Sequence, residues 1–125
     1  MDKLILNSTE DTPKIVFDTD NNEYVIEGRS LPENAVAFYT PVFDWLKEFR
    51  NSSIDNLTLN INLDYFNTAS AKQITKILMI LQGLSEEKNI KVNWYYYIED
   101  IDIKSSGARF AKLINVDIEL ISYED

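Results

Sequence analysis

Two hydroxyls carry the most chemical potential in this chain: Thr68 and Ser70, in the run Asp64-Tyr-Phe-Asn-Thr-Ala-Ser70. Before them Leu57, Leu59, Ile61 and Leu63 alternate with Thr58, Asn60 and Asn62, the period of a strand. After them Ile74, Ile77, Leu78, Leu81 and Leu84 recur every three to four residues, the period of a helix. Asn67-Thr-Ala-Ser70 lies at the change of period, and small hydrogen-bonding residues there open helices. A helix start has unpaired backbone N–H groups and partial positive charge, so a hydroxyl at this place has two possible uses. It can cap the helix. It can also accept a phosphate, adding about −1.5 to −2 charges that the helix end tolerates and a docked partner does not.

The rest of the chain offers little other chemistry. There is no His, hence neither the commonest general base nor the commonest metal ligand, and no Cys, hence no thiolate or disulfide. With three Gly, no glycine-rich phosphate loop is present. A Ser or Thr nucleophile needs a base beside it, and no spacing supplies one. Glu99, Asp100 and Asp102 form the tightest acidic cluster and could hold a divalent cation through oxygen, although such loops are ordinarily solvated. The net charge of −9 argues against nucleic acid or an anionic membrane as partner. No leader-like segment and no stretch of about 18 apolar residues is visible, so a soluble cytoplasmic domain without metal or other cofactor is expected.

The elements that must position the hydroxyls read as follows. Leu4–Leu6, Lys14–Asp18 and Glu23–Gly28 are strands, the last two joined by the turn cluster Thr19-Asp-Asn-Asn22 as an antiparallel hairpin. A first helix is expected to begin with Pro32 and Glu33 in its first turn, Ser30 or Leu31 just before, and to bury Ala35, Phe38, Val42, Trp45, Leu46 and Phe49. Pro41 should kink it or split off a main helix at Pro41–Arg50. The central strand spans about Ile54–Leu63, and the helix that follows it reaches about Lys88. A strand at Ile90–Tyr97 comes next. A helix from about Lys104 to Leu113, weakened by Gly107, and a strand at Val116–Ser122 complete the chain. The order β-β-β-α-β-α-β-α-β implies one α/β domain over residues 1–125, a mixed sheet with an N-terminal antiparallel hairpin, a mostly parallel remainder, and helices packed on it. Arg29, Ser30, Pro32, Glu33 and Asn34 read first as capping and turn residues; because helices in such a sheet start at the carboxyl ends of strands, they are also placed to form a second rim beside Thr68. In Trp94-Tyr-Tyr-Tyr97 one alternate pair should face the core; the other is open to a partner.

Several blocks together resemble one family. Thr12-Pro-Lys-Ile-Val-Phe-Asp18, Glu27-Gly-Arg-Ser-Leu-Pro-Glu-Asn-Ala35, Phe38-Tyr39, Trp45-Leu46, Leu63-Asp-Tyr-Phe-Asn-Thr-Ala-Ser70 and Trp94-Tyr-Tyr96 are similar, in order, to the SiaC family of bacterial regulatory phosphoproteins. The resemblance implies a non-catalytic partner-switching protein with a fold similar in logic to STAS domains. It implies an anti-sigma-factor-type serine/threonine kinase that modifies a threonine and a PP2C-type phosphatase that restores it. It also implies that the unmodified form binds and activates a diguanylate cyclase, raising cyclic di-GMP and biofilm formation. The threonine of Tyr-Phe-Asn-Thr is Thr68 here, with Tyr65, Phe66, Asn67, Ala69 and Ser70 as neighbours in the partner surface. Ala69 stands where the family commonly has Ser, and Leu31 where an aromatic is usual. Two other readings stay beside this one: a small anion- or metal-binding enzyme using residues 99–102, and a constitutive adaptor in which Thr68 only caps.

Overall fold

The computed structural model describes Met1–Asp125. Its elements are β1 (Leu4–Leu6), β2 (Lys14–Asp18), β3 (Glu23–Ser30), α1 (Ala35–Arg50), β4 (Asn56–Phe66), α2 (Thr68–Leu84), β5 (Asn89–Tyr97), α3 (Ile101–Leu113) and β6 (Asp117–Tyr123). The six strands form one sheet in the order β1-β2-β3-β4-β5-β6. β1, β2 and β3 pair antiparallel; β3, β4, β5 and β6 pair parallel. Each parallel step joins neighbours through a helix. Right-handed crossovers that always advance in one direction place all three helices on one face.

The β2–β3 turn follows from its residues. Asp18 accepts hydrogen bonds from the Asp20 and Asn21 amides and from Asn21 Nδ2, which holds its carboxyl below the usual range, and Asn22 takes φ 51°. The covered face is a single core built from Ile15, Phe17, Tyr24 and Ile26 of the hairpin, Leu57, Leu59, Ile61 and Leu63 of β4, Val92 and Trp94 of β5, and the inner stripes of the helices. Trp45 stacks on Phe49 with 5.4 Å between ring centres and meets Phe17 edge-on at 5.0 Å. Such pairs add about 0.5–1.5 kcal/mol beyond burial. The opposite face of the sheet carries no helix. This explains Asn60 and Asn93 in mid-strand: Asn93 Nδ2 donates to Asn60 Oδ1 at 2.9 Å across the ladder.

Several boundaries differ from expectation for identifiable reasons. α1 begins at Ala35, because Asn34, not Ser30 or Leu31, is its cap: Asn34 Oδ1 accepts from the Ala37 amide. Pro32 and Glu33 therefore precede the helix. Pro41 neither splits nor ends α1, which runs unbroken to Arg50. The carbonyl that loses its donor belongs to Ala37, an exposed residue whose carbonyl water can serve. α2 ends at Leu84, four residues earlier than the apolar pattern indicated, and β4 runs on to Phe66. α3 starts at Ile101, capped by Asp100, whose carboxylate accepts from the Ile103 amide at 3.0 Å. Gly107 does not weaken α3: a Cβ there would lie 2.3 Å from Trp94 Cδ1, so glycine is what lets the helix approach the indole. Trp94 is buried, its Nε1 donating to Ile103 O, while Tyr95 and Tyr97 are half-buried on the helix-free face.

Candidate functional site

A change of phase in β4 sets up the site. β3 pairs with β4 as Gly28↔Leu63 and then Arg29↔Tyr65, so β4 gains one residue at Asp64. Gly28 accommodates the irregularity with φ +115°, a conformation that L side chains rarely adopt. Up to Leu63 the odd-numbered residues of β4 point into the core. Past the bulge Phe66 turns inward, edge-on to Trp94 at 6.0 Å, and Tyr65 turns outward, 49% exposed beside Arg29. The chain then enters α2 directly.

Asn67 caps α2. Its side chain accepts from the Ser70 amide at 2.8 Å, its own amide donates to Ser30 O at 3.1 Å, and its carbonyl receives the first intrahelical bond, from Ala71. Thr68 is thus relieved of the capping duty that either hydroxyl could have had. It is the first helical residue and exposed. Its amide and that of Ala69 precede the intrahelical ladder and have no acceptor within the helix.

Ser70 has a different role. It is fully buried, as is Ser30, and Pro32 is buried too. These three, expected on the partner surface, lie beneath it. A run of hydrogen bonds joins the two serines to α1: Tyr39 Oη–H donates to Ser30 Oγ at 2.6 Å, Ser30 Oγ–H to Ser70 Oγ at 2.8 Å, and Ser70 Oγ–H to Ser30 O at 2.9 Å. With one proton per hydroxyl this is the direction that satisfies all three. Burial pushes the Tyr39 phenol up to about 12, against the smaller opposing effect of the Ser30 hydroxyl, so it stays a donor. Tyr39 was known from its sequence block but not as a site residue. Nothing in periodicity distinguishes a tyrosine that anchors two serines from one that fills the core.

Around Thr68 the surface forms a shallow depression lined by Glu33, Asn34, Ala35 and Val36 at the start of α1 and by Thr68, Ala69, Lys72 and Gln73 of α2. The two helix starts expected to share an edge do so. Val36, Lys72 and Gln73 were not foreseen; Lys72 was findable, since it follows Thr68 by one helical turn on the same face. Arg29 and Tyr65 lie to the other side, and a second depression joins Tyr65 and Phe66 to Asp64, Asp100 and Asp102. Asp100 is engaged in capping, and no group of three acidic side chains converges on a point where a cation could sit. The metal-site alternative for residues 99–102 therefore has no geometric support.

A family model described as SiaC family regulatory phosphoprotein matches residues 6–123. The chain belongs to the SiaC family. An uncharacterized protein of Pseudomonas aeruginosa strain UCBPP-PA14 is 30% identical over 97 residues, 77% of each chain. The crystal structure of apo-SiaC from Pseudomonas aeruginosa superposes with a TM-score of 0.90 at 24% identity, covering 97% of this chain and 99% of that one. SiaC in a crystal structure of the diguanylate cyclase SiaD with its activator SiaC, from the same organism, gives 0.90 at 24% identity over 96% and 99% of the two chains. The SiaC fold is thus the mixed sheet with three helices described above. No helix of this SiaC-family chain is long and apolar enough to cross a membrane.

Proposed function

We propose that this chain is a non-catalytic switch protein whose unphosphorylated form binds and activates an effector, a diguanylate cyclase, and which Thr68 phosphorylation releases. The single observation that supports the reading most is the state of Thr68: an exposed hydroxyl on the first residue of α2, freed from capping by Asn67. Ser70, the other hydroxyl of the motif, is sealed in the Ser30–Tyr39 network and out of a kinase's reach. A phosphate on Thr68 meets unpaired amides and the positive end of the helix, worth about 0.3–2 kcal/mol, so the fold accepts it. A partner lying over that depression would instead meet a desolvated dianion. The effector follows from family membership and from the SiaD–SiaC complex of the structural neighbour. The opposing enzymes are an anti-sigma-factor-type kinase and a PP2C-type phosphatase, acting in the cytoplasm. Glu33, Asn34 and Ala69 border the acceptor, Asn67 precedes it, and with Arg29 and Tyr65 they make up its partner surface; Phe66, turned inward onto Trp94, supports that surface from below.

The test is to incubate the protein with such a kinase from its own genome and map the phosphate by tandem mass spectrometry. Phosphate on Thr68, with loss of cyclase activation, is expected. Phosphate confined to other residues, or cyclase activation unchanged by a Thr68 phosphate, rejects the proposal.

A further inference from the structure

The two edges of the sheet are built differently. β1 closes one edge with three residues, preceded by Lys3. β6 forms the other with seven, and no strand lies beyond it. It carries neither a Pro nor a bulge, two common means of spoiling an edge for pairing. One hydrogen bond fixes which of its backbone groups are free. Ile98 N–H donates to Tyr123 O at 2.8 Å, so the backbone polar groups of Tyr123 face β5. These groups alternate in direction along a strand, so those of Ile118, Leu120 and Ser122 face outward, with no strand to pair them. The side chains of Ile118 and Leu120 pack against the core yet stay half-buried, so apolar area is left to cover at the same edge. Asp117 and Glu119 make the edge acidic. Lys91 answers both: it lies opposite Asp117 in register and binds Glu119 Oε1 at 2.8 Å.

We propose that β6 pairs antiparallel with β6 of a second copy of this chain, making one sheet continuous across a two-fold dimer. The charges select the register. Centred on Leu120, the pairing sets Leu120 opposite its own equivalent and Ile118 opposite the second copy's Ser122, so every outward-facing residue exchanges both backbone hydrogen bonds. On the helix-free face, which Tyr123 shares with its neighbour Tyr97, Glu119 then meets Ile121 and Asp117 meets Tyr123. Neighbouring registers are worse. Centring on Glu119 sets that carboxylate against itself, and centring on Ile121 sets Asp117 against Asp125; like charges directly opposite are destabilising. In the favoured register Glu124 and Asp125 of one copy run alongside Val116 and Asn115 of the other. That brings them to the last turn of α3, where Lys112 is exposed and has no carboxylate partner. A second copy is favoured over an unrelated strand because this edge complements itself in charge and in length. The two-fold axis stands perpendicular to the sheet, so all the helices share one face and the two Thr68 sites point to opposite ends of the dimer. Thr68 follows β4, two strands in from the seam, so pairing neither covers it nor depends on its charge.

Sedimentation velocity on the full, unphosphorylated chain, from about 1 to about 300 μM in about 150 mM salt, reads the association. The mass should rise with concentration from 14.5 kDa toward twice that value. Ser122→Pro, at an exposed position, removes one outward N–H and spares the bonds to β5; it should weaken dimerisation about tenfold with an unchanged thermal melt. Ile121→Lys, opposite Glu119, should tighten the dimer, and Ile121→Glu should loosen it. The chain has no Cys, so Leu120→Cys introduces a lone thiol. In the favoured register it lies about 5.5 Å from its equivalent between Cα atoms, within disulfide reach. Mild oxidation should cross-link it about tenfold faster than Ser122→Cys, whose equivalents stand roughly 13 Å apart. A chain that stays at 14.5 kDa throughout overturns the proposal. So does a dimer in which the two thiols react at one rate, or in which Ser122→Pro or the sign of the charge at residue 121 has no effect. A chain phosphorylated on Thr68 should dimerise like the unmodified one; dissociation by that phosphate would put the interface elsewhere and overturn the pairing.

Discussion

At the start of α2 two adjacent residues divide the work. Asn67 holds the helix end, and Thr68, one position later, stays free for modification. The division makes a sharp contrast between two alanine substitutions. Asn67→Ala removes the acceptor of the Ser70 amide and should cost about 1 kcal/mol in a denaturant melt. Thr68→Ala removes an exposed hydroxyl with no structural partner and should change stability by less than about 0.5 kcal/mol while abolishing phosphorylation. Equal losses from the two substitutions would show that Thr68 shares the capping. The motif was legible in the sequence because strand period gives way to helix period within four residues. Which of its hydrogen-bonding side chains caps was not, since Asn, Thr and Ser are all competent caps and their torsions alone decide.

Among the elements, α3 shows how a local propensity can mislead. Gly107 looks like a weak point of the helix, yet it is the point of contact with Trp94. Helix propensity favours Gly→Ala by about 0.8–1 kcal/mol, but the added methyl at Gly107 overlaps the indole, and overpacking costs about 1–3 kcal/mol. Gly107→Ala should therefore destabilise the protein. Gly83, near the end of α2, is the control: a Cβ there sits 3.4 Å from Arg50 Nη2, the mobile end of a side chain. Gly83→Ala should stabilise by about 0.5–1 kcal/mol, read as a shift of the urea midpoint at constant slope. The same sign for both would refute the packing argument. The short β1 and the β2–β3 hairpin were readable because turn residues and alternation are local signals. The reach of β4 to Phe66 was not, because the bulge at Asp64 exists only in its pairing with β3.

For the molecule as a whole, the Tyr39–Ser30–Ser70 run is the tie between the end of β3, the second turn of α1 and the first turn of α2. It fixes the relative placement of the two helices that flank the candidate site, and it has a pH signature. The native state keeps the Tyr39 proton to about pH 12. An unfolded chain releases a tyrosine proton near pH 10. Below pH 10 both states are protonated and the contribution is constant. Between these values the unfolded state binds fewer protons, so stability falls as pH rises. The loss amounts to roughly 2–3 kcal/mol by pH 12. Tyr39→Phe should be less stable at neutral pH, because Ser30 loses a donor, and should show a shallower alkaline decline than the parent in urea melts at pH 8, 10 and 11. Burial also raises Tyr24 and Tyr123, so part of the slope remains. An identical decline in parent and variant would remove Tyr39 from the account.

By itself the sequence determined the kinds of element, their order, the mixed α/β class, and the helix-opening threonine, because each of these follows from the periodicity and chemistry of neighbouring residues. Tertiary structure decided the strand order, the single helix-covered face, and the burial of Ser30, Pro32 and Ser70 beneath the surface they were expected to form. It also decided a groove between α1 and α2, whose walls come from residues more than twenty-five positions apart. Accessibility and facing are properties of packed elements. A chain read one residue at a time contains the hydroxyl, and only the packing leaves Thr68 in solvent and seals Ser70 away from it.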